Sequence, residues 1–271
     1  MTLKTLHIAD KRFTSEEMTI AAFTQEDLEA EAALIFSLFQ EREKFFGFNP
    51  GVVIEYPKID PPEDSPFLAD PVRYIAARCN AAAGGTPIGR VVILNTYADR
   101  LYAPLVEAGY RLSRIEMPAG PDNTGAFTCD LSDHPQEDRT LYLEAVNEAD
   151  EKIRPKFVLK LSDAAGHLKG GACGSIHDRA GQRYAYLATL VVAPNQPPTT
   201  GTCLAQEMLH FLARMGVDTV HLGTQTAGPF YEKLGFSITH HLIPGLRHRL
   251  GKNGRITLHD LVMMAMDIPT E

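Results

Sequence analysis

The sequence predicts a mixed α/β fold in two units, and three observations predict it. Strand-like and helix-like stretches alternate through the C-terminal half. A segment dense in Gly, Pro, Asn and Asp, residues 117–125, divides the chain. The N-terminal half repeats a similar strand–helix order, which suggests an internal duplication. The expected boundaries are therefore 1–118 and 119–271.

In the N-terminal half, residues 19–23 read as a strand and 24–39 as a helix with Thr24 as N-cap. Residues 52–56 are a strand. Asp70 caps a helix to about Ala83, with Pro71 in its first turn. Residues 90–94 are a strand, and 99–108 a helix stopped by Gly109 and Tyr110. In the C-terminal half, 126–130 is an expected strand. Ser132 or Asp133 caps an expected helix through Tyr142 and Val146 to Ile153. Strands follow at 157–161, 168–177 and 183–192, the last alternating and then wholly apolar. An amphipathic helix spans 204–215, with Leu204, Met208, Phe211, Leu212 and Met215 on one face. Residues 220–224 are a strand, followed by the stretch Ala227–Phe236 (AGPFYEKLGF), a short helix that ends at Gly235. Strands at 237–243 and 255–266 close the chain.

Composition narrows the function classes. The 271 residues are 44% hydrophobic, enough for a sizeable core. Net charge is -8, from 26 basic and 34 acidic residues, which argues against a nucleic-acid binder. Cys79, Cys129, Cys173 and Cys203 are far apart and form no C-x-x-C pair, so neither a metal site nor a disulfide framework is expected. No apolar run approaches the ~20 residues of a membrane span. The first residues lack the succession of a signal peptide, and a cytoplasmic protein is expected.

Three stretches carry chemistry. The strand Tyr184–Pro194 (YAYLATLVVAP) leads into Gln196–Leu209 (QPPTTGTCLAQEML), a glycine-containing loop before a helix. A helix N-terminus with free N–H groups and no acidic or bulky neighbour suits a pyrophosphate, and Thr199, Thr200, Gly201, Thr202 and Cys203 lie there. An ordinary loop with hydroxyl caps is the plain alternative. Tyr231 follows a buried strand, and a phenol with ordinary pKa ~10 stays protonated at neutral pH and can donate a proton. Its plain alternative is packing.

Together these stretches resemble the GNAT superfamily of acyl-CoA-dependent N-acyltransferases over roughly Phe127 to Ile268. Ala227–Phe236 is similar to the end of the family pattern N-x-x-A-x-x-F-Y-x-K-x-G-F, with Thr224 in place of the Asn. The resemblance implies a mixed, mostly antiparallel central sheet flanked by helices, and two tandem units of this kind. It implies acetyl-CoA as acyl donor and direct attack by the primary amine of a small molecule or peptide. It also implies a strand that splays from its neighbour to offer Leu190, Val191 and Val192 to the pantetheine arm. A phosphate loop at 199–203, with Thr224 nearby, and Tyr231 as general acid to the leaving thiolate complete it.

The loop departs from the family's R/Q-x-x-G-x-G/A. Pro198 stands three before Gly201, Cys203 replaces the second small residue, and Gln196 is shifted. A non-catalytic acyl-CoA-binding or regulatory module is the alternative function. Cys203 as a nucleophile is not required, because direct transfer has no covalent intermediate. Phe230 reads as packing and Lys233 as a solvated residue. For the general base, Glu144 on the expected helix, His177, His240 and His241 remain open. The N-terminal half has no phosphate loop, since residues 58–70 are rich in Pro and acid. Its expected role is to shape the acceptor site. The expected assembly is a monomer or homodimer.

Overall fold

The computed structural model describes residues 2–10, 13–24, 27–43, 47–59, 61–82, 84–95, 98–115, 125–135, 137–144, 155–179, 181–251 and 253–269. In chain order the elements are β1 (Thr2–Asp10), β2 (Phe13–Phe23), α1 (Leu28–Glu43), β3 (Gly47–Phe48), β4 (Val52–Glu55), α2 (Pro66–Ala69) and α3 (Pro71–Ala82). Then come β5 (Ile88–Asn95), α4 (Ala98–Glu107), β6 (Arg111–Ile115), β7 (Gly125–Asp130), β8 (Arg139–Glu144), β9 (Phe157–Asp163) and β10 (Leu168–Arg179). The chain closes with β11 (Gln182–Val192), α5 (Thr200–Arg214), β12 (Thr219–Thr224), α6 (Gly228–Glu232), β13 (Ser237–Leu250) and β14 (Ile256–Asp267). The fold is mixed α/β, as the alternating pattern predicts.

The expected boundary at 118/119 is not where the chain divides. One compact unit takes Met1–Gly47, Ile153–Thr239 and Val262–Glu271, and the other Phe48–Lys152 and His240–Leu261. The N-terminal strands and α1 thus belong with β9 to β12. The second unit is inserted between α1 and β9, and it also takes the distal part of the β13–β14 hairpin.

In the first unit the strand order is β1-β2-β9-β10-β11-β12-β14, followed by β13. Every pairing from β1 to β14 is antiparallel except β11 with β12. The sheet is covered on both faces because its strands alternate apolar side chains to either side. On one face Ile35 of α1 packs with Val158, Cys173 and Val191. On the other, Leu204, Met208 and Leu212 of α5 pack with Leu159, Ala172, Leu187, Val220 and Leu222. Gly171 lets α1 come this close: a Cβ there would meet Ile35 Cδ1 at 2.4 Å and the Leu159 carbonyl oxygen at 2.8 Å.

The second unit's sheet has the order β4-β8-β5-β7-β6. Here β8 lies parallel to both β4 and β5, whereas β7 runs antiparallel to β5 and β6. Its core joins Phe67, Ile75, Leu101 and Leu105 of the helices to Val91, Ile93, Leu141 and Leu143 of the strands. This order, with two parallel pairs at one side, differs from that of the first sheet.

Within the expected helix over 132–153, residues Arg139–Glu144 form the strand β8. Thr140 to Leu143 are all buried, Leu141 and Leu143 fully. A continuous buried run of β-prone residues between two parallel neighbours overrides the weaker i, i+4 pattern of Tyr142 and Val146. Residues 145–154 lie outside the described residues. The strand expected at 126–130 is β7, in the second unit's sheet. Three further strands, β1, β3 and β6, were not anticipated. No helix among the described residues is long and apolar enough to cross a membrane.

Candidate active site

All elements of the candidate site belong to the first unit. Parallel pairing between β11 and β12 runs from Tyr184 opposite Thr219 to Leu187 opposite Leu222, and stops there. Beyond that point β11 stays paired with β10 as far as Val192 opposite Gly170, and β12 with β14 as far as Thr224 opposite Val262. The two strands therefore splay apart over their last residues. The Ala193 N–H donates to the Lys169 carbonyl of β10 at 2.8 Å. Backbone groups alternate along an antiparallel ladder, so Val191 also faces β10, whereas Leu190 and Val192 turn their N–H and C=O groups toward the splay. Of the three residues expected at the pantetheine arm, two present backbone there. Val191 instead places its side chain under α1.

Asn195 takes a left-handed conformation, φ 63°, and turns the chain from β11 into α5. The helix begins at Thr200, earlier than its expected start at Leu204, so Gly201, Thr202 and Cys203 form its first turn. Thr199 occupies the cap position but its side chain makes no capping bond. The Thr200 N–H donates to the Pro197 carbonyl at 3.0 Å and the Cys203 N–H to the Thr199 carbonyl at 2.9 Å. The N–H groups of Gly201 and Thr202 have no backbone acceptor among the described residues. The first turn carries no acidic residue. A Cβ on Gly201 would lie 3.7 Å from both Val192 Cγ2 and Phe230 Cε2, so the end of β11, the start of α5 and the helix α6 meet at this glycine.

Thr200, one of the residues expected at the phosphate loop, is fully buried, and its Oγ1 has no hydrogen-bond partner among the described residues. The Gln196 side chain folds back onto its own loop, with Nε2 3.4 Å from the Pro194 carbonyl, and its Oε1 is buried without a partner.

Tyr231 sits in the last turn of α6, which a bond from the Ala227 N–H to Thr224 Oγ1, 3.2 Å, ties to the end of β12. Thr224 is thus occupied as a local turn-former, a role its place in the motif did not reveal. The Tyr231 ring is 7% exposed and lies edge-on between Phe230 and Phe236, with centroids 5.1 and 5.5 Å away. Burial alone pushes its phenol well above the ordinary value, with no charged or hydrogen-bonding group contributing. Lys233 is exposed, as expected.

Of the four base candidates, His177 lies in this unit away from the cluster, and Glu144, His240 and His241 belong to the second unit. His177 pairs with Tyr184 at the start of β11, its ring 5.2 Å away and its Nε2 2.7 Å from Ser175 Oγ. The splay begins after Leu187, and Val192 is about 26 Å along the strand from Tyr184 at ~3.3 Å per residue. Glu144 ends β8 in the second unit, where burial raises its carboxyl and the Tyr142 hydroxyl, 3.4 Å away, partly opposes this. His240 and His241 lie on the distal hairpin of the same unit, and His241 Nδ1 is 3.0 Å from Asp260 Oδ2. Among the described residues no group of His, Cys, Asp or Glu is arranged to hold a metal.

No family model and no curated protein matches the chain. Solved structures do. The ribosomal-protein-S18-alanine N-acetyltransferase from Escherichia coli is 21% identical over 42% of this chain and 70% of its own, with a TM-score of 0.32. Ard1 from Thermoplasma volcanium is 20% identical over 41% of this chain and 70% of its own, also at 0.32. Naa50 of Arabidopsis thaliana, in complex with the bisubstrate analogue CoA-Ac-MVNAL, is 20% identical over 40% of this chain and 71% of its own, at 0.31. These are likenesses over about two fifths of the chain. At such identities and scores they say nothing about what this chain acts on.

Proposed function

We propose that this chain is an acyl-CoA-dependent N-acetyltransferase that moves an acetyl group from acetyl-CoA to a primary amine of a small molecule or peptide. The observation that carries this reading is the junction at Gly201. There the splayed end of β11 meets a 15-residue helix whose Gly201 and Thr202 N–H groups have no backbone acceptor among the described residues. The positive end of the helix dipole and the two N–H groups suit a pyrophosphate. The outward backbone of Leu190 and Val192 suits the amides of the pantetheine arm. Gly201 leaves room for close approach.

In the proposed reaction the neutral amine nitrogen attacks the thioester carbonyl carbon and the C–S bond breaks. The Tyr231 hydroxyl gives its proton to the departing thiolate and regains one from solvent. The nitrogen loses its extra proton to solvent. Burial keeps the phenol protonated at neutral pH, as a proton donor must be, and at the same time makes it a weaker acid.

A non-catalytic acyl-CoA-binding module is the second reading. It is favoured by the depth at which Tyr231 is packed and by Pro198 and Cys203 in the loop. Release of free CoA thiol, measured over a panel of primary amines with the purified chain, tests the first reading. Acetyl-CoA-dependent release with any amine, lost in Tyr231→Phe, supports the enzyme. Acetyl-CoA binding without release for every amine favours the module.

A further inference from the structure

One imidazole stands beside the splay, on the face of the sheet away from α5. Val220 and Leu222 of β12 enter the core with α5, as do Ala185 and Leu187 of β11. Side chains alternate along a strand, so His221 turns to the other face, as do Tyr184 and Tyr186. His221 pairs with Tyr186, and the next rung, Leu187 with Leu222, is the last before the two strands part. Gly223, two residues on and on the same face as His221, is exposed and has no side chain. No side chain of β12 therefore stands between the His221 ring and the vertex of the splay.

The vertex is where the thioester lies in the proposed complex. With the pyrophosphate at Gly201, beside Val192, the pantetheine arm runs back along β11 toward Leu187, about 16 Å away at the rise of an extended strand. Tyr231 belongs to the core on the α5 side, so His221 approaches the same vertex from the opposite face. The departing sulfur and the entering nitrogen are different atoms of the tetrahedral centre, and a group on each face can serve each of them.

The imidazole is held by a ring contact and by no hydrogen bond among the described residues. The Tyr184 ring lies edge-on to it, with centroids 5.8 Å apart, and the His177 ring stacks on Tyr184 at 5.2 Å. Ala265 of β14 stands opposite His221. Partial burial holds the imidazole below its ordinary 6.5, and the Asp267 carboxylate, which accepts from Thr219 Oγ1 at 3.0 Å, opposes this. Tyr184, Tyr186 and His177 are the other titratable side chains on this face of β10 and β11. The ring is neutral at neutral pH and has a lone pair to offer.

We propose that His221 is the base of the transfer and that the acceptor amine enters on its face of the sheet. The amine lone pair forms the N–C bond to the carbonyl carbon, and the proton that this nitrogen sheds goes to a ring nitrogen of His221, directly or through one water. The C–S bond breaks with protonation of sulfur by Tyr231, and His221 passes its proton on to solvent. The proposal rests on the acyltransferase reading and assigns the one proton transfer to which that reading gives no residue.

Nuclear magnetic resonance of the wild-type chain, titrated with acetyl-CoA, tests the placement. The His221 Hε1 signal, assigned by its loss in His221→Gln, is expected to titrate below pH 6.5 and to shift as acetyl-CoA binds. Release of CoA thiol with acetyl-CoA and n-butylamine tests the role. His221→Gln is expected to lower kcat about 10²-fold or more, while the Kd for acetyl-CoA stays within about twofold. The wild-type kcat is expected to fall with unit slope below pH 6.5, and this acid limb to be missing in the variant. A residue that only supported the sheet would lower kcat and leave the limb in place. Saturable acetyl-CoA binding with an unmoved His221 signal, a variant with wild-type kcat, or an acid limb that persists in the variant overturns the proposal and leaves the acyltransferase reading standing. No binding of acetyl-CoA to the wild type overturns both.

Discussion

At Tyr231 the side chain is held by packing, not by a polar partner. The ring lies between Phe230 and Phe236, and burial is the one cause that raises its phenol. If it is the acid of the proposed transfer, Tyr231→Phe keeps that packing and removes the proton. Turnover is then expected to fall about 10²-fold or more, while the Kd for acetyl-CoA stays within about twofold. Steady-state kinetics and calorimetry read the two effects separately. Burial also makes a stability claim with a definite sign. A phenol whose folded pKa is raised above the ordinary 10.0 stabilises the fold fully below that pH, and the contribution is lost as pH rises toward the folded value. Above about pH 10 the wild type is therefore expected to lose stability more steeply than Tyr231→Phe, in urea melts taken at a series of pH values.

At the scale of the element, the N-terminus of α5 separates helix stability from ligand binding. Gly201→Asp adds a Cβ at ordinary contact distance, 3.7 Å from Val192 and Phe230, and puts a carboxylate in the first turn. Replacing a helical glycine and placing an anion there both favour the helix, by roughly 0.3–1 kcal/mol each. The same carboxylate repels a pyrophosphate. The variant is expected to melt at or above the wild-type temperature yet to bind acetyl-CoA at least tenfold more weakly. A variant that merely misfolds would move both quantities in the same direction. Gly171→Ala gives the converse case. Its methyl collides with Ile35 and with the Leu159 carbonyl, so α1 must shift, and a loss of about 1–3 kcal/mol is expected in denaturant melts. Much of the element pattern around the site is legible in the sequence, because the apolar run ending at Val192, the glycine after Thr200 and the stop at Gly235 are local signals. The start of α5 was misplaced because its first turn is polar and its amphipathic pattern begins only at Leu204. The split of β11 from β12 at Leu187 follows from which strands pair, and periodicity within one strand does not encode that.

At the scale of the whole molecule, the division of the chain was the least legible feature. A Gly- and Pro-dense segment at 117–125 is a strong local break, yet β6 and β7 on either side of it pair within one sheet. Residues 1–47 join residues 153–239 through pairing of β2 with β9, a contact across more than a hundred residues that no window of sequence contains. For the same reason β8 was read as a helix: its parallel neighbours β4 and β5 lie far off in sequence, and they bury Thr140 to Leu143 as one continuous run. Each unit has its own buried core. Leu212→Ala in the first and Leu141→Ala in the second are each expected to cost about 2–5 kcal/mol. If the units unfold separately, each substitution moves one of two calorimetric transitions and leaves the other in place.

The central claim is that the splay of β11 from β12, together with the open N-terminus of α5, holds an acyl-CoA. Titration calorimetry of the wild-type chain with acetyl-CoA tests it most directly. One saturable site per chain, with affinity at least tenfold lower in Gly201→Asp, is the predicted result. No saturable heat at millimolar acetyl-CoA, or binding that Gly201→Asp leaves unchanged, would contradict it.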